Sequence, residues 1–515
     1  MKSHQVSSDA LDWAIQHIGR HGDTDIFPVP FEFDVLAKQW NSLKSQLAST
    51  HIGQAKMRPH LVFEVPKMTF GFRIAHQLDP IDALIYAALV YEMGEAIEAA
   101  RLPADVVCSY RFRPSTHGDF YPQDSGWQVY ADRSRQYADT HTHILYIDIA
   151  DFYNQVNHHR VTGSLETCGI SSPRARNVEK FLSRFTAKQS RGLPVGPSGS
   201  HLLAESCLTD IDSFLKQAGV PFVRYTDDFR VFADSKTELT SLLQRLTRFL
   251  SDNHGLALQT GKTEIENTNN FIRARLSDPG HTFNEQLDGR LMELAEFLSE
   301  LSEEMGYGTV SLEEISDQDV AQEASELLVD SFKQILEKKP ARLGPLKSLV
   351  RKARAWRSVN LLPLVLDELD VLLPIMGDVC RYIHAVCPDN HNTVADRLIT
   401  AIGSSDYVSC DYIAMWVLEL FAQRPDLNDF QRSLSFAQEY ESTLGLRPQA
   451  LLARAHKEPY WVRSHKSDVA NLRPWDRRAV IYAASALPQS ERNAWLSMVR
   501  KLVSDPIDAA VAKSI

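Results

Sequence analysis

Asp227 and Asp228 stand side by side in Tyr225-Thr226-Asp227-Asp228. Apolar, β-branched and aromatic residues flank them in Pro221-Phe222-Val223-Arg224 and Phe229-Arg230-Val231-Phe232. The flanks predict two strands and the acidic pair predicts their tight turn. Adjacent carboxylates repel, and strands ordinarily turn on Gly or Asn, so packing alone does not explain the pair. A divalent cation would neutralise it, which points to nucleotidyl transfer. A third carboxylate fits the same chemistry. The run His143-Ile144-Leu145-Tyr146-Ile147-Asp148-Ile149 reads as a buried strand with Asp148 at its C-terminal end. Asp151-Phe152-Tyr153-Asn154 then opens a helix. Two-metal phosphoryl transfer needs carboxylates that bridge two hard cations about 3.5–4 Å apart. One cation activates an attacking 3′-hydroxyl and the other holds the triphosphate. Mg²⁺ prefers oxygen ligands and keeps water, so a few carboxylates and the substrate phosphates suffice. Asp148 and Asp227 on neighbouring strands, assisted by Asp228, meet that need for two Mg²⁺ ions or for Mn²⁺ in their place.

The elements between these carboxylates must hold a nucleotide. Gly192-Leu193-Pro194-Val195-Gly196-Pro197-Ser198-Gly199-Ser200 reads as a Gly- and Pro-punctuated loop. Ser198 or Ser200 is expected to cap the helix that follows. That helix should bury Leu203, Cys207, Ile211 and either Phe214 or Leu215 on one face.

Taken together, these motifs resemble the reverse transcriptases. Tyr225-Thr226-Asp227-Asp228 is similar to their Tyr-x-Asp-Asp hairpin, and Asp148 to Tyr153 is similar to their first metal-binding motif. The resemblance implies that Tyr153 is a steric gate whose ring lies under the sugar and excludes a 2′-hydroxyl. The loop resembles the Gly-Leu-Pro-Gln-Gly motif of the family, so Gly192, Pro194, Val195 and Gly196 would shape the nucleotide pocket. It departs from that pattern at Val195, where template-copying members usually carry Gln, and again after Gly196. Gly255 to Thr263 resembles the motif after the catalytic hairpin, which implies that Lys262 approaches the pyrophosphate and serves as general acid. Ser109-Tyr110-Arg111-Phe112-Arg113 reads like a fingers strand, with Arg111 reaching the triphosphate. Arg73 and Lys67 are weaker candidates for that role.

Within the superfamily, the loop and Tyr110-Arg111-Phe112 look most like the abortive-infection (Abi) enzymes, of the AbiK and P2-prophage types. That resemblance implies bacterial defence against phage and untemplated, protein-primed DNA synthesis from dNTPs. It further implies a single-stranded DNA product attached to the protein, and a homo-oligomer, trimeric or hexameric. Two rivals remain open: a templated polymerase of retron or intron type, and a non-catalytic scaffold with a vestigial polymerase.

The chain has 515 residues, 44% hydrophobic and 23% charged, as expected of a globular protein with several cores. No apolar run is long enough to span a membrane, and the N-terminus lacks a signal-peptide core. The six cysteines are scattered without a Cys-x-x-Cys pair and read as reduced core residues in the cytoplasm. His141, His143, His158 and His159 lack partners at zinc-like spacing. The net charge is −11, so phosphate affinity must come from local clusters. One such cluster runs from Lys338 to Arg357, with eight basic residues and no acidic one. It either binds a strand through Arg351, Arg354 and a stacking Trp356, or forms a solvated face answering the acidic run at 300–330. The expected fold is α+β: an N-terminal helical segment over 1–60, reverse-transcriptase-like fingers and palm over 61–285, and an all-α, HEAT-like domain over 286–515.

Overall fold

Alternation between short β-branched runs and amphipathic helices builds a four-stranded antiparallel sheet covered by helices. The structure, a computed structural model, describes residues 5–52, 57–68, 71–121, 126–186, 189–273, 318–338, 341–391 and 393–515. The sheet contains β3 (His143–Asp148), β4 (Phe222–Tyr225), β5 (Asp228–Ala233) and β6 (Glu264–Asn267), in the order β4-β5-β3-β6. Side chains alternate across it. Ile144, Tyr146, Val223 and Phe232 pack with Tyr130 and Ala138 of α6 (Gly126–Thr140) and with Phe271. On the other face, Arg224 meets α10 (Ser198–Gln217). That helix buries Leu203, Cys207, Ile211 and Leu215, the stripe expected from its sequence.

The chain divides into two compact units that differ from the expected division. Residues 1–25, 29–61 and 76–283 form one, and 26–28, 62–75 and 284–515 form the other. The N-terminal helices thus cluster with the sheet-bearing unit. α1 (Ser8–His21) buries Leu11, Trp13, Ala14 and Ile18. Its Trp13 ring stacks on Tyr91, at the end of α4 (Pro80–Tyr91), with centroids 4.2 Å apart. Two further helices, α2 (Glu32–Lys38) and α3 (Trp40–Ala48), meet at Gln39.

The second unit is helical from Gln318 to Ser514, apart from the paired strands β1 (Leu61–Met68) and β2 (Gly71–Gln77), most of which it includes. Its apolar stripe Ile413, Trp416, Val417 and Leu420 is buried on the helix Asp411–Gln423. The boundary expected at 285–286, and the acidic run as far as 317, lie outside the described residues. Among the described residues no helix is long and apolar enough to cross a membrane.

One buried acid follows α1 in the first unit. Burial pushes the Asp23 carboxyl up to about 7, and the neighbouring Glu32 adds to the rise. An unfolded Asp titrates near about 3.9. The folded chain therefore holds this proton longer, and its contribution to stability is lost as pH climbs through about 7. Asp23→Asn should raise Tm relative to wild type at about pH 8 and leave it nearly equal at about pH 4. The same Tm difference at both pH values, in a melt followed by circular dichroism, would refute this.

Candidate active site

β3 and β5 run antiparallel in a register that sets Asp148 opposite Asp228. Directly opposed residues point to the same face of a sheet, so the two carboxylates share one end of one face. Asp227 lies beside them in the two-residue turn between β4 and β5, where Tyr225 pairs with Asp228. Burial pushes Asp228 up to about 6, and repulsion from Asp227 and then Asp148 adds to it. Burial raises Asp227 as well, and Asp148 contributes. The counter-charge comes from Lys262, whose Nζ donates to Asp148 Oδ2. Its placement is a backbone matter. Ala150 N donates to Ala257 O at 2.9 Å, and Gln259 N donates to Asp148 O at 2.8 Å. The 3-10 turn Thr260–Lys262 follows at once. Three carboxylates against one ammonium leave an all-oxygen donor set with excess negative charge, which suits hard divalent cations. Among the described residues no three His, Cys, Asp or Glu side chains close into a protein-only metal cage. A site completed by substrate phosphates and water is what two-metal transfer uses.

The turn that carries Asp227 is strained and held from below. Thr226 has φ of 53°, a left-handed conformation that β-branched residues avoid. Its N–H donates to Ser109 Oγ at 2.8 Å, and its carbonyl accepts from Arg224 Nη1 at 3.0 Å. Arg224 is fully buried. Its Nε and Nη2 both donate to Asp212 at 2.7 Å, and Nη1 lies 3.0 Å from Glu205. Glu205 also accepts from Arg101 at 2.8 Å and from Ser109 Oγ at 2.6 Å. Burial opposes the charge on Glu205, but Arg101 and Arg224 outweigh it and hold the carboxyl below its ordinary range.

Tyr153 lies in the short helix α7 (Phe152–Gln155), directly after the αL residue Asp151. Burial raises its phenol far above the ordinary range, and Asp227 is among the charges that add to this. Its carbonyl accepts from Leu193 N at 2.8 Å, which ties α7 to the loop at 192–200. Gly192, at φ of 102°, donates to Val156 O at 2.8 Å, and its carbonyl lies 2.9 Å from His158 Nε2. Val195 O accepts from His76 N at 2.8 Å. Gly196 has φ of 130°, and a Cβ there would come within 2.9 Å of Thr24 Oγ1, so only glycine fits. Pro194 is buried between these ties.

Residues 101–284, which span this sheet and loop, match the sequence model of the family described as reverse transcriptase (RNA-dependent DNA polymerase). They form a reverse-transcriptase domain. The match implies an RNA-directed DNA polymerase-like nucleotidyltransferase, a class that generally uses divalent metals. No curated protein matches the chain. Matches among solved structures include a telomerase from Candida albicans in complex with a TWJ fragment of telomeric RNA, at 13% identity and TM-score 0.31. It covers 74% of this chain and 70% of that one. Apo telomerase from Candida tropicalis matches at 12% identity and TM-score 0.32, over 73% of this chain and 74% of that one.

Several expected roles in or beside the reverse-transcriptase domain meet a different geometry. Residues 109–113 are not a strand: Tyr110 has φ of 45°, which breaks the extended alternation. Arg111 is held by neighbouring groups of its own chain. Its guanidinium pairs with Glu98 and donates to Leu102 O at 2.7 Å and Val107 O at 3.1 Å. Neither serine caps α10 through its side chain, because Pro197 occupies the cap position and Ser200 Oγ bonds Tyr86 Oη at 2.9 Å. Lys67, Arg73, Arg351, Arg354 and Trp356 all belong to the second unit. Trp356 is only 6% exposed, so its ring is packed rather than offered to a base. Arg351 is paired with Asp378 at 2.7 Å, while Arg354 is exposed. Sequence reasoning missed Arg101, Glu205, Asp212 and Arg224, and also His201, which bonds the Tyr153 hydroxyl. The available signal was the heptad spacing of Glu205 and Asp212 on a buried helix face, with an Arg inside a buried strand.

Arg224→Met leaves two buried carboxylates without their shared cation and should cost about 3–5 kcal/mol of stability, read as a lower urea midpoint. Arg224→Lys should recover only part, since it cannot make the bidentate bonds; an unchanged midpoint in the Met variant would show the network to be dispensable. The carboxylate cluster predicts a metal effect with a defined pH sense. Burial and the neighbouring carboxylates push Asp228 up to about 6, above its unfolded value, so the metal-free fold loses stability as this group ionises. Mg²⁺ should therefore raise Tm more at about pH 7.5 than at about pH 5.5, and EDTA should reverse the gain. A Mg²⁺ shift independent of pH, or equal in Asp228→Asn, would contradict this.

Proposed function

We propose that the chain is a reverse-transcriptase-type DNA polymerase that adds deoxynucleotides without copying a template, primed from a protein side chain, in bacterial abortive-infection defence. The observation that carries the polymerase reading is the register that opposes Asp148 to Asp228 beside Asp227. Asp148 and Asp227, with Asp228, hold two Mg²⁺ ions. When bound, these supply activation of the attacking hydroxyl and neutralise charge on the leaving pyrophosphate. The rest of the work is positioning, because phosphoryl transfer asks little covalent chemistry of the protein. Tyr153 walls the sugar site, and the loop from Gly192 to Gly196 sets the pocket around the base. Lys262, 54% exposed on a flexible stem, is the group that gives a proton to the departing pyrophosphate.

The untemplated mode is supported by Val195, which offers no amide where template-copying relatives of similar motif carry one. The reading includes a single-stranded DNA product attached to the chain, a homo-oligomer of three or six copies, HEAT-like stacking in the helical unit and a cytoplasmic setting. Exposed Arg354 is the remaining basic candidate for contact with the product.

Incubating the purified chain with a single dNTP and Mg²⁺, with no nucleic acid, should increase protein mass by whole nucleotide units. Asp227→Ala/Asp228→Ala should abolish this, by at least about 10³-fold, as expected when charge stabilisation of the transition state is lost. Incorporation only on adding a primed RNA or DNA would favour templated synthesis. Incorporation that survives the double substitution would overturn the assignment of the carboxylates.

A further inference from the structure

The Tyr153 phenol is not free to turn. Its hydroxyl shares a hydrogen bond of 2.6 Å with His201 Nδ1. The His201 ring lies flat against Tyr110, with centroids 3.9 Å apart and planes within 2°. Tyr110 is fixed in turn. It holds φ of 45°, a strained value for an aromatic residue, and such strain persists only where surroundings over-determine it. Arg101 Nη1 donates to Tyr110 O at 2.8 Å, and Arg101 Nη2 donates to Ser109 O. The same Nη2 lies 2.8 Å from Glu205. Glu205 and His201 are four residues apart on α10, so they project from one helix face on successive turns. One helix therefore positions the catalytic hairpin through Glu205 and the Tyr153 ring through His201.

We infer that His201 is the positioning residue for sugar selection: it anchors the Tyr153 hydroxyl, with Tyr110 as its stacking support, so that the ring is a rigid wall toward deoxyribose. The inference rests on the reading of Tyr153 as the sugar gate in the proposed polymerase. Two physical consequences make the anchor matter. A tyrosine ring is set by two torsions, and fixing the far end at Oη removes the freedom to tilt away from a 2′-hydroxyl. An unanchored phenol could also hydrogen-bond a 2′-hydroxyl and so favour the wrong sugar; here the group is already engaged by His201.

Stack and hydrogen bond separate by substitution. His201→Phe keeps an aromatic ring against Tyr110 and removes the partner of the hydroxyl, while His201→Gln keeps a hydrogen-bonding partner and removes the ring. Tyr153→Phe removes the hydroxyl from the other side. With single dNTPs and rNTPs as substrates, the ratio of their kcat/KM values is the readout. His201→Phe should lower the preference for dNTP by about tenfold, the scale of one hydrogen bond, mainly by improving KM for rNTP. Tyr153→Phe should have a similar effect. The double variant should be no worse than either single one, because one interaction is lost only once. His201→Gln should retain most of the preference.

Equal loss of activity toward both sugars in His201→Phe would mean a purely structural role and would overturn the inference. So would additive effects in the Tyr153/His201 cycle, or an unchanged ratio. Each of these outcomes leaves wild-type incorporation intact and so spares the polymerase reading. Absence of any incorporation by wild type would bring down that reading and this one together. A Mg²⁺-dependent Tm gain equal to wild type verifies that each variant is folded.

Discussion

A single buried guanidinium holds the acidic corner together. Arg224 sits in β4 with no exposure, and its donors reach Asp212, Glu205 and the carbonyl of Thr226. Burying a charge is costly unless partners surround it, and removing any one partner strands the others. The network is therefore poorly replaceable one member at a time. Its effect is local and geometric. Thr226 stays in a conformation its β-branched side chain disfavours, so a turn of two residues suffices and Asp227 is delivered beside Asp228. Without that turn the register of β4 and β5 would need a longer loop, and the carboxylates would separate.

The same economy runs through α10. Its N-terminal end is tethered by the loop at 192–200, which is tied to α7 through Leu193 and to His76 through Val195. Its buried face carries His201, Glu205 and Asp212 in succession. A shift of this helix would move the hairpin and the Tyr153 hydroxyl together. Coupling of that kind keeps the distance between the acidic corner and the Tyr153 ring constant, the kind of quantity on which positioning-based catalysis depends strongly.

Much of this was legible in the sequence where a local pattern is sufficient. The acidic turn, the strand ending at Asp148 and the buried stripe of α10 follow from alternation, turn chemistry and helical spacing. What escaped was decided by tertiary partners. Arg111 reads as a phosphate ligand by type, yet Glu98 and two carbonyls capture its guanidinium. Trp356 reads as a stacking surface within a basic run, but it falls on the buried side of its helix end. The N-terminal helices read as a separate segment, because no periodicity reveals that Trp13 stacks on Tyr91. Polar networks are the hardest class: Glu205 and Asp212 have ordinary helical spacing, and only the fold reveals that both meet one arginine.

Val195 sharpens the distinction between chemistry and geometry in the loop at 192–200. Its carbonyl accepts from His76 N at 2.8 Å, and its N–H is directed at His76 Nδ1 at 3.3 Å. The backbone on either side is pinned by Gly192 and by Gly196, where no side chain would fit. These ties are made by main-chain atoms and do not depend on which side chain occupies position 195. The loop can thus keep its path whether that residue carries an amide or an isopropyl group. Exchanging the two alters the hydrogen-bonding capacity of the pocket while leaving its frame in place. An amide can discriminate among paired bases by donating and accepting; a valine can only fill space and exclude water. In the proposed polymerase, the selectivity lost there would be of the kind a template requires, whereas the carboxylates, Lys262 and Tyr153 would act on phosphates and sugar, the parts common to every nucleotide.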